Sequence, residues 1–132
     1  MLLGLAMFES EVGCYHAPMK VRLHQDSIRI RLTRGEVASL GEGLGVRSET
    51  HFLQGSLEVQ VHPEGEAFGL TFEHNRIRLY VPFESAREWS GNDVEGLYAS
   101  SGPCQIALEK DYACLHKTGD ANVGTFPNPT VL

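Results

Sequence analysis

Two carboxylates late in the chain have a spacing that could support metal or acid–base chemistry. Glu109 and Asp111 flank Lys110, so a strand running through all three residues would carry both carboxylates on one face. There they could bind Mg²⁺ or act as an acid and base pair, with Glu58 and His62 facing the same way from a neighbouring strand. The alternative is a charged outer face at the end of an edge strand. We favour this alternative, because hard-metal sites generally need more oxygen ligands.

Cysteine and histidine also occur in pairs, since both Cys14/His16 and Cys114/His116 have the form C-x-H. On a strand such a pair shares one face, and Cys114 with His116 is the candidate zinc pair. Structural zinc generally uses longer gaps within a ligand pair, which favours half-buried thiols and surface imidazoles instead. With Cys104 the cysteines number three, which is too few and too widely spaced for a disulfide framework and indicates a reducing cytoplasm.

Arginine supplies the third candidate chemistry, which is anion binding. Arg29, Arg31 and Arg78 are the candidate anion-binding residues, and Arg29 and Arg78 occupy equivalent places in two similar stretches. Residues 19–34 carry five basic residues and one acid, whereas the whole chain has a net charge of −6. A basic hairpin of this kind could bind an anion or dock on an acidic patch of a second subunit. The alternative, which we favour, is a solvated outer sheet face.

The elements that position these residues are clearest between Lys20 and Gly41. Apolar and charged residues alternate in two short runs around a turn at residues 25–27, which predicts a hairpin of two half-buried strands. Thr33 and Glu36 then form a capping box, which predicts the start of a helix with Val37 on its buried face. Gly41 is predicted to end this helix in the left-handed conformation.

A shift of 49 positions places this stretch on residues 69–90 with its apolar pattern kept. The shift predicts a second hairpin followed by a helix over residues 84–90, and it raises the hypothesis of an internal duplication. Alternation elsewhere predicts four further strands, at residues 46–53, 57–61, 97–99 and 105–109. Residues 1–18 are interpreted as an extension ahead of a start at Met19, residues 19–114 as one domain, and residues 115–132 as an irregular tail.

The composition restricts the function classes. An apolar fraction of 42% and a charged fraction of 21% are typical of a globular domain, and the negative net charge argues against general nucleic-acid binding. The apolar run at the N-terminus is too short to span a bilayer. Nucleophile motifs such as G-x-S-x-G and C-x-x-C do not occur in the sequence, so no catalytic residue and no cofactor is predicted.

Several segments together resemble a family of short uncharacterised bacterial proteins. They are MKVR at residue 19, SIRIRL at residue 27, EKDYACL at residue 109 and FPNP at residue 126. The family shows MK-x-R, SIRLRL, an EKDFACL-like segment and a terminal FPNP, and the resemblance spans Met19 to Pro129. It implies a bacterial cytoplasmic protein and brings no assigned activity or functional residue.

We therefore expect an α+β domain with a mostly antiparallel sheet or half-barrel of seven or eight strands, two short helices and a pseudo-twofold duplication. The leading functional hypothesis is a non-enzymatic binding or interaction module for a protein or a small anionic ligand. It could form a homo-oligomer through its sheet edges or its basic hairpin. The alternatives are a small divalent-metal-dependent hydrolase using Glu109 and Asp111, and a zinc-binding protein using Cys114 and His116.

Overall fold

Eight strands and two helices make up the regular structure of residues 18–112, the part of the chain that the computed structural model describes. Residues 18–110 form one compact unit. The helices are α1 (Arg34–Gly41) and α2 (Phe83–Ser90). The strands are β1 (Lys20–Leu23), β2 (Ser27–Leu32), β3 (Val46–Phe52), β4 (Gly55–Pro63), β5 (Gly69–Glu73), β6 (Arg76–Val81), β7 (Gly96–Ser101) and β8 (Cys104–Lys110).

The strands form two four-stranded sheets. Sheet I has the order β1-β2-β8-β7, and sheet II has the order β3-β4-β6-β5. Each sheet joins two antiparallel hairpins through a central parallel pair, β2 with β8 and β4 with β6. The predicted α+β class, strand number, helix number and mostly antiparallel pairing are confirmed. The two sheets do not close into a barrel.

The capping box predicted for α1 is present. The backbone N–H of Glu36 donates to Thr33 Oγ1 at 3.3 Å, and the Glu36 carboxylate accepts from the backbone N–H of Thr33 at 2.9 Å. These bonds satisfy two backbone donors that a helix start otherwise leaves open. Gly41 differs from its predicted role, because it is the last helical residue, and Gly43 adopts the left-handed conformation with φ of 87°.

Both helices and the inner faces of both sheets contribute to one hydrophobic core. Val37 and Leu40 of α1, and Ala86 and Trp89 of α2, are buried in it. The helices pack closely where Gly41 meets Ser90, since a Cβ atom added to Gly41 would lie 2.5 Å from the Ser90 Cβ. Neither of the described helices is long and apolar enough to cross a membrane.

Elements in the two halves correspond at the predicted spacing. Adding 49 to the residue numbers of β2 and α1 gives the bounds of β6 and α2. The parallel pairs differ, however, because Ile28 lies opposite Ile106 in sheet I, whereas Ile77 lies opposite Val59 in sheet II. Subtracting 49 from 106 gives 57 rather than 59, so the two registers differ by two residues. A two-residue shift keeps each side chain on its face but changes its neighbours. Gene duplication itself stays a prediction.

Candidate anion-binding groove

The outer face of sheet I carries three rows of side chains that follow from strand alternation and register. The core side of β2 holds Ile28, Ile30 and Leu32, so the residues between them face outward. The first row is Lys20, Arg31, Glu109 and Gly96; the second is Arg22, Arg29, Ala107 and Tyr98; the third is Ser27, Gln105 and Ser100.

An open groove of about 730 Å³ lies over the second and third rows. Ala107 stands between Arg29 on β2 and Tyr98 on β7, and its small side chain leaves the space that the two larger residues border. Arg22 and His24 line the groove beyond Arg29. Among residues 18–112, those that line the groove include no carboxylate.

Glu109 is the one acid in the rows, and it lies beside the groove rather than in it. Its side chain is nearly buried and accepts hydrogen bonds from the Tyr98 hydroxyl at 2.8 Å and from Arg31 Nε at 3.3 Å. Arg29 Nε is 3.5 Å from the same carboxylate. Burial would raise the pKa of Glu109, but the hydrogen bonds from Tyr98 and Arg31 and the charges of both arginines hold the pKa below its usual value. Glu109 is therefore ionised and aligns two arginines.

A glycine makes room for this cluster. A Cβ atom added to Gly96 would lie 2.7 Å from the Tyr98 hydroxyl oxygen and 2.9 Å from Glu109 Cγ and from the Leu108 carbonyl oxygen. The hydrogen bond to Glu109, with burial and the carboxylate charge, raises the pKa of Tyr98. The phenol therefore stays neutral at physiological pH, and it adds no negative charge beside the groove.

The arginines of the second row have unused hydrogen-bonding capacity. Arg29 Nε is buried and has no hydrogen-bond partner among residues 18–112, although its side chain as a whole is 40% exposed. The side chain of Arg22 makes no hydrogen bond or ion pair with another residue in that range. Each guanidinium offers five N–H donors, so the two side chains together can donate several hydrogen bonds to the oxygens of an anion.

Sheet II provides an internal comparison, because its outer face has its charges paired. Arg47 and Arg76 both donate to Glu58, the latter at 3.2 Å, and Arg78 donates to Gln60 at 3.1 Å. The hydrogen bond from Arg47 is the main cause of a lowered pKa at Glu58. The strand rows on the outer face of sheet II contain three arginines and three carboxylates. The arginines are Arg47, Arg76 and Arg78, and the carboxylates are those of Glu49, Glu58 and Glu73. In sheet I three arginines, Arg22, Arg29 and Arg31, share their strand rows with one carboxylate, Glu109.

The two-residue register difference explains part of this contrast. Arg78, which corresponds to Arg29, lies opposite Gln60 and bonds to it, whereas Arg29 lies opposite Ala107. An alanine cannot accept a hydrogen bond from a side chain. Arg78 thus has a hydrogen-bond acceptor directly opposite it, whereas Arg29 has only its ion pair with Glu109 in the next row.

The candidate residues of the sequence fall in different places. Arg29 and Arg31 lie together with Glu109, and Arg78 lies on the other sheet. β8 ends at Lys110, one residue before Asp111. Glu58 and His62 lie on sheet II, away from the strand that carries Glu109.

The candidate metal ligands are not assembled into a site in the part of the chain that the structure describes. Within residues 18–112 no three His, Cys, Asp or Glu side chains form a group that could hold a metal ion. Cys114 and His116 lie outside the described residues. The zinc pair therefore stays a prediction.

Tyr98, Ala107 and Gly96 were not singled out from the sequence. Ala107 lies on β8, which was predicted over residues 105–109, and the other two lie on β7, which was predicted in part, over residues 97–99. Alternation along β7 could have placed Tyr98 on an outer face. Nothing local indicates that β7 and β8 join β2, since Ile28 and its partner Ile106 are far apart in the chain.

Comparison with known proteins identifies a family and no individual relative. No curated protein and no solved structure gives a significant match to the chain. A family model described as "Family of unknown function (DUF7009)" matches residues 19–130. This match covers most of the chain, including all of the strands and helices described above, and the chain therefore belongs to this family of unknown function.

Proposed function

We propose that the domain is a non-enzymatic binding module that holds an anion in the groove of sheet I. One observation carries this proposal: three arginines, Arg22, Arg29 and Arg31, share their strand rows on this sheet with a single carboxylate, whereas the three arginines of sheet II share theirs with three carboxylates. This face is therefore locally positive although the whole chain has a net charge of −6. A local surface of this sign attracts and retains anions.

Arg29 and Arg22 are the proposed ligands of the anion. They are neighbours across the β1–β2 pair and both line the groove. Glu109 neutralises one charge and holds Arg29 and Arg31 in place, so the arginines lose less side-chain freedom when an anion binds. An oxyanion can then accept charge-assisted hydrogen bonds from both guanidinium groups.

The metal-dependent hydrolase receives no support from this geometry. Glu109 is surrounded by Arg29, Arg31 and the Tyr98 hydroxyl, and two cationic neighbours repel a divalent cation. A homodimer through sheet edges or the basic hairpin stays a prediction. A bacterial cytoplasmic location is part of our proposal, supported by the resemblance and by the free thiol of Cys104.

The test is a calorimetric titration of the full chain with pyrophosphate at low ionic strength. We expect saturable binding that weakens as salt rises, because the contacts are ionic. Arg29→Gln should weaken binding by roughly 10-fold to 100-fold, since a hydrogen bond to a charged group contributes about 1.5–3 kcal/mol.

Arg78→Gln is the matched control, because it removes the corresponding arginine from the balanced sheet. It should leave pyrophosphate affinity unchanged. Circular dichroism and thermal unfolding would confirm that both variants are folded. Absence of binding, or equal losses in the two variants, would refute the groove as the site.

A further inference from the structure

The groove has an aromatic side as well as a basic one. Tyr98 is 61% exposed, and its hydroxyl is held by Glu109 at 2.8 Å, so its ring is presented in a fixed orientation. The ring makes no contact with another ring within residues 18–112. Tyr80 on the outer face of sheet II differs, because His62 stacks on it with ring centroids 5.4 Å apart. Tyr98 therefore offers a free aromatic face, and Tyr80 does not.

Neutral polar groups lie next to this face. The third row consists of Ser27, Gln105 and Ser100. Each of these residues lies two positions along its strand from a residue of the second row, Arg29, Ala107 or Tyr98. Hydroxyl and amide groups both donate and accept hydrogen bonds, so the row can bind ligand hydroxyls or the polar edge of a ring. The groove thus combines cations, an aromatic face and a neutral polar edge.

The dimensions exceed what a bare phosphate needs. Arg29 and Tyr98 both pair with Ala107, so their strands are two strand spacings apart, about 10 Å. The groove volume of about 730 Å³ falls within the usual range for small-molecule sites, roughly 300–1,000 Å³. A ligand that fills it has an anionic group at one end and a flat group at the other.

We propose that the ligand is a phosphomonoester that carries an aromatic ring, of the kind represented by a nucleoside 5′-monophosphate. Its phosphate binds Arg22 and Arg29, and its ring lies on Tyr98. The polar row contacts the sugar hydroxyls or the edge of the ring. This inference rests on the proposed anion-binding function and adds the chemical class of the ligand.

The test compares AMP, ribose 5-phosphate, inorganic phosphate and adenosine by calorimetry on the full chain. We expect AMP to bind at least about 10-fold more tightly than ribose 5-phosphate, since stacking of a base on an aromatic side chain has an effect of this order. Adenosine should bind weakly because it lacks the phosphate. In the unaltered protein, NMR should show nuclear Overhauser effects between adenine protons and the ring protons of Tyr98.

Substitutions then assign the preference to one ring. Tyr98→Phe should keep the preference for AMP over ribose 5-phosphate, whereas Tyr98→Leu should reduce it to less than about threefold. Tyr80→Leu is the matched control, since His62 already covers that ring. It should keep the preference.

The outcomes separate this inference from the proposed function. Equal affinities for AMP and ribose 5-phosphate, both weakened by Arg29→Gln, would refute the aromatic ligand and leave the anion site standing. A preference that persists in Tyr98→Leu, with no Overhauser effects to Tyr98, would also refute it. Absence of binding by AMP, ribose 5-phosphate and inorganic phosphate would refute the aromatic ligand, and absence of pyrophosphate binding as well would refute both proposals.

Discussion

Replacing Glu109 by glutamine should weaken the fold and strengthen anion binding at the same time. Glu109 is 6% exposed and is the only acid in the strand rows of the basic face. Glutamine keeps the size of the side chain and a carbonyl acceptor but loses the charge. Arg29 and Arg31 then lose their ionic partner, and an anion in the groove loses a repelling neighbour.

The stability loss should be about 1–2 kcal/mol. Removal of one partner from a fully buried ion pair costs about 3–5 kcal/mol. The side chains of Arg29 and Arg31 are 40% and 44% exposed, so solvent screens their charges in the variant. The glutamine carbonyl can still accept from Tyr98, which reduces the loss further.

The gain in affinity should be about fivefold. Glu109 lies two residues along β8 from Ala107, about 7 Å. With an effective dielectric constant of about 20, a unit charge at that distance repels an anion over Ala107 by about 2 kcal/mol. Salt with a Debye length of about 8–10 Å reduces this to about 1 kcal/mol, which corresponds to about fivefold in the dissociation constant.

Two measurements test the predicted loss of stability and gain in affinity. Urea unfolding monitored by circular dichroism reports the first, and pyrophosphate titration reports the second. The folded-state pKa of Glu109 is lowered, so its contribution is present above the unfolded pKa, about 4.3, and is lost as pH falls through the folded value. The stability difference between the original protein and Glu109→Gln should therefore disappear in acid.

Glu58→Gln is the control, because it removes a carboxylate that two arginines share on the other sheet. It should leave pyrophosphate affinity unchanged. Weaker anion binding in a folded Glu109→Gln protein would contradict the electrostatic reasoning. An unchanged stability at neutral pH would show that Glu109 does not hold the arginines.

Three further predictions concern packing, capping and alkaline pH. Gly41→Ala should destabilise the domain by about 1–3 kcal/mol in urea unfolding, because its Cβ would meet the Ser90 Cβ at 2.5 Å; the double variant with Ser90→Gly should recover most of this, and no recovery would contradict the close helix contact. Thr33→Ala should cost about 1 kcal/mol through loss of the N-cap, whereas Thr33→Ser should cost much less. The pKa of Tyr98 is raised by its bond to Glu109, so stability present below about pH 10 should be lost as pH rises through the folded value, and Tyr98→Phe should remove this dependence from thermal unfolding scans.

Local chemistry was sufficient to predict the elements. Alternation in residues 20–32 predicted the hairpin of β1 and β2, and Thr33 with Glu36 predicted the start of α1, because these signals lie within a few residues of each other. The 49-residue shift predicted the second hairpin and, within one residue, the bounds of α2. The sequence also identified the basic character of residues 19–34, from which Arg29 and Arg31 were proposed.

Tertiary structure alone decided which strands share a sheet and in which register. β2 pairs with β8 across more than half the chain, so Arg29 lies beside Ala107 and Tyr98 while the corresponding Arg78 lies beside Gln60. Both hairpins have the same alternation, and a shift of two residues leaves every side chain on the same face. Periodicity therefore cannot distinguish the two registers. The long-range pairing of the folded chain selects between them, and that selection decides whether the arginine has a hydrogen-bond acceptor opposite it.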